Sequence, residues 1–107
     1  MRFLITATLE NEAGNQLCAD KEMNRKMETL LTEVRPENFY FGIKNGQRAF
    51  FCVVNVEGSH ELPRITEPFW LGFRANVECT AIMTQEDFRK SVNHIESSVR
   101  KFNWTSK

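Results

Sequence analysis

The alternation of apolar and polar positions is most regular between Asn38 and Val56, where two β-prone runs flank Asn45-Gly46. Asn-Gly between such runs marks a two-residue hairpin turn, because both central positions need a positive φ. That turn sets Lys44 opposite Gln47, Ile43 opposite Arg48, Phe41 opposite Phe50 and Phe39 opposite Cys52. One face then carries Phe39, Phe41, Ile43, Phe50, Cys52 and Val54, and the other carries Tyr40, Ala49, Phe51 and Val53. Both faces are apolar, so each needs a cover other than water.

Around this hairpin the pattern switches between periods of two and of three to four. Arg2 to Leu9 alternates as a strand, with Phe3, Ile5, Ala7 and Leu9 on one side. Asn11 to Gln16 is polar, contains Gly14 and reads as a loop. A helix is expected from Leu17 or Asp20, with Met23, Met27, Leu30, Leu31 and Val34 as its apolar stripe. Pro36 ends it, since the residue before a proline disfavours the helical region. After the hairpin, Glu57-Gly58-Ser59 breaks the strand. A short helix capped by Ser59 is expected to run to about Glu67, with Leu62, Ile65 and Phe69 on its buried side. Pro68 and Gly72 bracket an aromatic link, Phe69-Trp70-Leu71, and a last strand follows from Phe73 to Met83. Thr84-Gln85-Glu86-Asp87 is a capping box, with Met83 and Phe88 spaced as a hydrophobic staple. The final helix repeats Phe88, Val92, Ile95, Val99 and Phe102 at spacings of 4, 3, 4 and 3.

The order β-α-β-β-α-β plus a C-terminal helix predicts a single α+β domain over residues 1–107. It is the ferredoxin-like arrangement, an antiparallel sheet with helices on one face. Its strand order, 4-1-3-2, places the first and third strands at the centre. Helices then cover one face, and a second copy is the simplest cover for the other, giving a homodimer through the sheet face.

Composition narrows the picture further. The 14 basic and 14 acidic residues balance, so no net field recruits nucleic acid or an anionic membrane. No aromatic and basic residues interleave on a strand as in an RNA-reading sheet. The apolar run from Phe3 to Leu9 is too short and too polar for a membrane span or signal peptide. Cys18, Cys52 and Cys79 are odd in number and widely spaced, which argues against a disulfide framework or a zinc site and for a reduced, cytoplasmic setting. Asn103-Trp104-Thr105 matches a glycosylation sequon, of no consequence in that setting.

Glu67-Pro68-Phe69-Trp70-Leu71-Gly72-Phe73-Arg74-Ala75-Asn76-Val77-Glu78, followed by Met83-Thr84-Gln85-Glu86-Asp87-Phe88, resembles the end of small proteins of the dimeric α/β-barrel superfamily. Over nearly the whole chain the element order is similar to that superfamily, which includes muconolactone isomerase-like proteins and small cofactor-independent monooxygenases. The resemblance implies a barrel formed by two sheets across a dimer, and small molecules bound between sheet and helices without a cofactor. No catalytic motif of the superfamily transfers residue by residue.

Three groups of side chains are candidates for chemistry. Arg74, Asn76, Glu78 and Thr80 share one face of the expected last strand, where a carboxylate could act as a base and an arginine could hold an anion. His60 sits at a loop-to-helix junction and titrates near neutrality; His94 reads as a surface residue of the last helix. Tyr40 and Arg48 belong to the hairpin, and Trp70 could line a pocket mouth. His60, Glu78 and Tyr40 are thus the catalytic candidates, with Arg48, Arg74, Asn76 and Trp70 as ligand contacts. Each also has a plain structural reading, as a solvated edge, a surface histidine or a guarded hairpin end. No metal-ligand spacing, phosphate loop or nucleophile elbow occurs. Two classes of function remain: a small-molecule site with isomerase or monooxygenase chemistry, or a dimerisation or regulatory module without chemistry.

Overall fold

The computed structural model describes residues 1–104; Thr105, which would complete the sequon at Asn103, lies outside them. The chain forms β1 (Arg2–Leu9), α1 (Asn11–Ala19), α2 (Met23–Val34), β2 (Asn38–Lys44), β3 (Gln47–Asn55), α3 (Leu62–Phe73), β4 (Asn76–Ile82) and α4 (Gln85–Phe102), with a 3₁₀ turn at Ser59–Glu61 before α3. The four strands make one antiparallel sheet in the order β2-β3-β1-β4, so β1 and β3 are central. Asn45 (φ 52°) and Gly46 (φ 75°) take the left-handed conformations of the hairpin turn. Phe39 faces Cys52, Phe41 faces Phe50 and Lys44 faces Gln47, the register that this turn dictates.

One face of the sheet packs on α2 and α3. Ile5, Leu9, Phe50, Cys52 and Val54 from the strands meet Leu30 and Val34 of α2 and Ile65, Phe69 and Phe73 of α3 in one buried cluster. Phe50 is its aromatic hub, with ring centroids 6.2 Å from Phe69 and 5.8 Å from Phe73. The 0 % exposure of Ile5, Val34, Ile65 and Phe69 means that the gap between sheet and helices is filled by side chains.

Three boundaries differ from the sequence expectation, each for a physical reason. The striped helix starts at Met23 rather than at Leu17 or Asp20, and Asn11–Gln16, expected as a loop, belongs to a separate helix, Asn11–Ala19. Its contact surface is Gly14, which is buried, with half-buried Ala13 and Leu17, so it carries no apolar stripe to read. A Cβ at position 14 would come within 2.6 Å of the Arg48 guanidinium, so the glycine makes room for that side chain. The second difference is α3, which continues through Pro68 to Phe73 instead of ending near Glu67. Ile65, Phe69 and Phe73 lie on one helical face and are all buried, and that burial outweighs the backbone bond lost at the proline. The third follows from the second: β4 begins at Asn76, not Phe73. Arg74 leaves α3 in a left-handed conformation (φ 52°), with its N–H donating to Trp70 O and the Ala75 N–H donating to Phe69 O. Ser59 provides no side-chain cap.

The last helix stands apart. Its start is the capping box read from the sequence: Asp87 N–H donates to Thr84 Oγ1 at 3.1 Å, and Thr84 N–H donates to the Asp87 carboxylate at 3.2 Å. Beyond that turn, among the described residues, no other element packs extensively along α4. The molecule therefore measures 60 × 29 × 21 Å with a radius of gyration of 18.0 Å, where a compact domain of this length has about 13 Å.

Candidate functional site

Among the described residues no helix lies over the sheet face turned away from α2 and α3, and the strand register orders its side chains into rows. Asn38, Val53, Leu4 and Thr80 make one row; Tyr40, Phe51, Thr6 and Glu78 the next; Gly42, Ala49, Thr8 and Asn76 the third. The central columns, from β3 and β1, are thus Val53, Phe51 and Ala49 beside Leu4, Thr6 and Thr8, while the outer columns are largely polar. Thr6 is 5 % and Ala49 3 % exposed although no helix covers them. Gly42 lies under Phe51, whose ring would be 3.0 Å from an added Cβ.

The face is also curled. Lys44 Nζ donates to Glu78 Oε1 at 2.9 Å, although these residues belong to opposite edge strands. In a flat sheet three strand spacings and four residues of offset would hold their backbones about 19 Å apart, beyond the reach of the two side chains. The edges must therefore approach each other over this face, making it concave, with the ion pair across its mouth. Nothing in the sequence paired Lys44 with Glu78; only the coiling of the sheet brings them together.

Tyr40, Glu78 and Asn76 share this concave face, with Tyr40 60 % exposed at one edge and the other two exposed at the opposite edge. On the adjacent strand β1, Thr6 stands opposite Glu78 and Thr8 opposite Asn76. Arg74 lies outside β4, and its guanidinium donates to the Gln16 side chain of α1. Arg48 is on the helix-covered side, where Nη1 donates to Asn15 Oδ1 at 3.1 Å. Trp70 is 45 % exposed on α3. His60 is exposed in the 3₁₀ turn, next to an open depression of about 640 Å³ that Arg35, Glu57, Glu61 and Arg64 help to line. There Glu61 accepts from Glu57 N–H and pairs with Arg64, and both interactions hold its carboxyl below the usual range. The seven candidates are therefore spread over both sheet faces, α3 and two loops, and they do not converge on one cavity.

The cysteines offer no reactive thiol pair, and all three are free. Burial, with a smaller push from Cys79, raises the Cys52 thiol to about 11, and burial also raises that of Cys79. Both shifts disfavour the nucleophilic thiolate. Among the described residues no cluster of three or more His, Cys, Asp or Glu side chains could hold a metal ion, and no helix is long and apolar enough to cross a membrane.

A four-stranded antiparallel sheet with helices on one face defines a small α+β domain. No protein-family model matches the chain, and no curated protein matches it in sequence.

Proposed function

We propose that this chain is a self-associating module of ferredoxin-like, dimeric α/β-barrel type, whose concave sheet face receives the same face of a second copy. The observation that carries this reading is the apolar centre on a sheet face without a helix: Leu4, Ala49, Phe51 and Val53 inside a rim of Asn38, Tyr40, Thr80 and Asn76. An apolar centre with a polar rim is the anatomy of a protein interface, and tyrosine is among the residue types enriched in interfaces. The strand order, read from the other edge as β4-β1-β3-β2, agrees with a ferredoxin-like arrangement and supports the superfamily assignment.

The small-molecule reading has less support. It requires polar groups converging on a cavity between sheet and helices, whereas that gap is filled, Tyr40 and Glu78 lie on the opposite sheet face, and Arg48 and His60 lie apart from them and from each other. Assembly or regulation without chemistry is the better account.

Sedimentation equilibrium of the whole chain between ~1 and ~100 µM tests the proposal, together with the variant Val53→Lys. Val53 is half-buried on the concave face, so lysine there places a charge in the apolar centre. The expected result is a wild type that associates through the sheet contact, and a Val53→Lys protein that loses this contact, read as a lower mass at equal concentration with an unchanged circular dichroism spectrum. A Val53→Lys protein that associates as tightly as wild type refutes the sheet-face reading.

A further inference from the structure

We propose that α4 is a second, separate contact between copies, pairing antiparallel with α4 of another chain; this does not rest on the sheet-face reading. Phe88, Ile95, Val99 and Phe102 are 49, 45, 54 and 62 % exposed, and among the described residues no other element packs extensively along them. With Val92 they form one seam at spacings of 4, 3, 4 and 3, the period of helices that pack against helices. A solvated helix of 18 residues with such a seam leaves its apolar side without a partner.

The flanking residues choose both the occupant and its direction. One antiparallel alignment sets Phe88 against Val99 of the second copy and Val92 against Ile95, and twofold symmetry repeats both layers in reverse. The same alignment brings Arg89 opposite Glu96 on one flank, twice per pair, and Ser91 opposite Ser98 on the other. Opposite charges thus meet where flanking residues set partner and orientation, and small side chains leave the remaining flank open. A parallel pair would set Ser91 against Glu96 and form no such ion pair. The alignment also brings Trp104 level with Met83 of the second copy. Met83 is 60 % exposed, and the Trp104 ring packs tilted against Phe102 with ring centroids 5.5 Å apart. The complementarity is that of the helix with itself, so the occupant is a second copy.

Charge reversal reads the register directly. Arg89→Glu and Glu96→Arg each turn two attractive contacts per pair into two repulsive ones. Each is expected to raise the dissociation constant of the α4 contact roughly fivefold or more. The double variant Arg89→Glu/Glu96→Arg restores the pairs and returns the constant to near that of wild type. Arg89 also pairs with Glu86 within its own helix at 3.6 Å, but the double variant loses that contact too, so rescue reports only the contact between chains. The measurement is sedimentation equilibrium of the full chain, run in both the wild-type and the Val53→Lys background, so that failure of the sheet contact and failure of the α4 contact register separately. Both charge-reversed positions are exposed, and unchanged circular dichroism would show that the fold survives. Single variants that associate like wild type, a double variant no better than the singles, or a Val53→Lys protein that is monomeric at ~100 µM would each overturn the proposal.

Discussion

Replacing Pro68 by alanine should stabilise the protein. The proline sits seven residues inside α3-bounding Glu61, in the body of a helix that runs from Leu62 to Phe73. There it lacks the N–H that would donate to the Arg64 carbonyl, and its ring crowds that carbonyl. In helix interiors proline is about 3 kcal/mol worse than alanine, a figure that already contains its stiffness in the unfolded chain. Against this stands lost packing: the half-buried ring lines the groove between α2 and α3 with Leu30 and Phe73. Shedding its partly buried methylenes costs about 1 kcal/mol. The net gain is thus about 2 kcal/mol, which for a domain of this size raises the melting temperature by roughly 8 to 16 °C. Urea unfolding followed by circular dichroism, with the midpoint compared at unchanged slope, measures it. A Pro68→Ala protein less stable than wild type would refute the reasoning. It would mean that ring packing against α2, rather than backbone bonding, decides this position.

Two further outcomes follow from the titrating groups. Asp20, Glu22, Glu37, Glu61 and Asp87 all have carboxyl pKa values below the ordinary 3.8 and 4.5, held there chiefly by hydrogen bonds to Lys26, Arg25, Arg2, Glu57 N–H and Thr84 N–H respectively. A lowered folded-state value stabilises above the unfolded value and loses that contribution as the pH falls through the folded one. The urea midpoint should therefore drop between about pH 5 and pH 3, and an unchanged midpoint over that range would contradict the pairings. With a disulfide reagent at pH 8, exposed Cys18 should react first and Cys79 more slowly. Cys52, near 11, has only about one thiolate in a thousand and should react only on unfolding, so three fast equivalents in native buffer would be inconsistent with its burial.

Elements were legible where local turn or capping chemistry set their bounds, and not where burial overrode or bypassed that chemistry. The hairpin register was legible because Asn45-Gly46 admits one turn, and α4 because Thr84 and Asp87 cap each other locally. The helix Asn11–Ala19 was not, since it meets the fold through a buried glycine rather than an apolar stripe. The extent of α3 was hidden by Pro68 and Gly72, whose local preferences yield to the burial of Phe69 and Phe73. Arg74 consequently shifts from a strand to a helix end, and the row it was expected to share with Glu78 loses its cation. Lys44 replaces it from the far edge of the sheet, through a curl that no sequence period encodes.

The place of β1 at the centre of the sheet has a consequence for synthesis. It is the first strand to be made, yet both its neighbours, β3 and β4, are encoded far downstream. Once Asn55 has left the ribosome, β1 can pair on one side only. Its other side waits for Ile82, 27 residues later (82 − 55), or roughly 1 to 5 s at ordinary elongation rates. During that interval Phe3, Ile5 and Ala7 border an unpaired edge beside a nearly complete hairpin, a template open to strands of other nascent chains. Pairing with β4 is what ends that exposure. Slow codons that prolong this interval should lower the yield of native protein more than the same codons read before Asn55 has emerged.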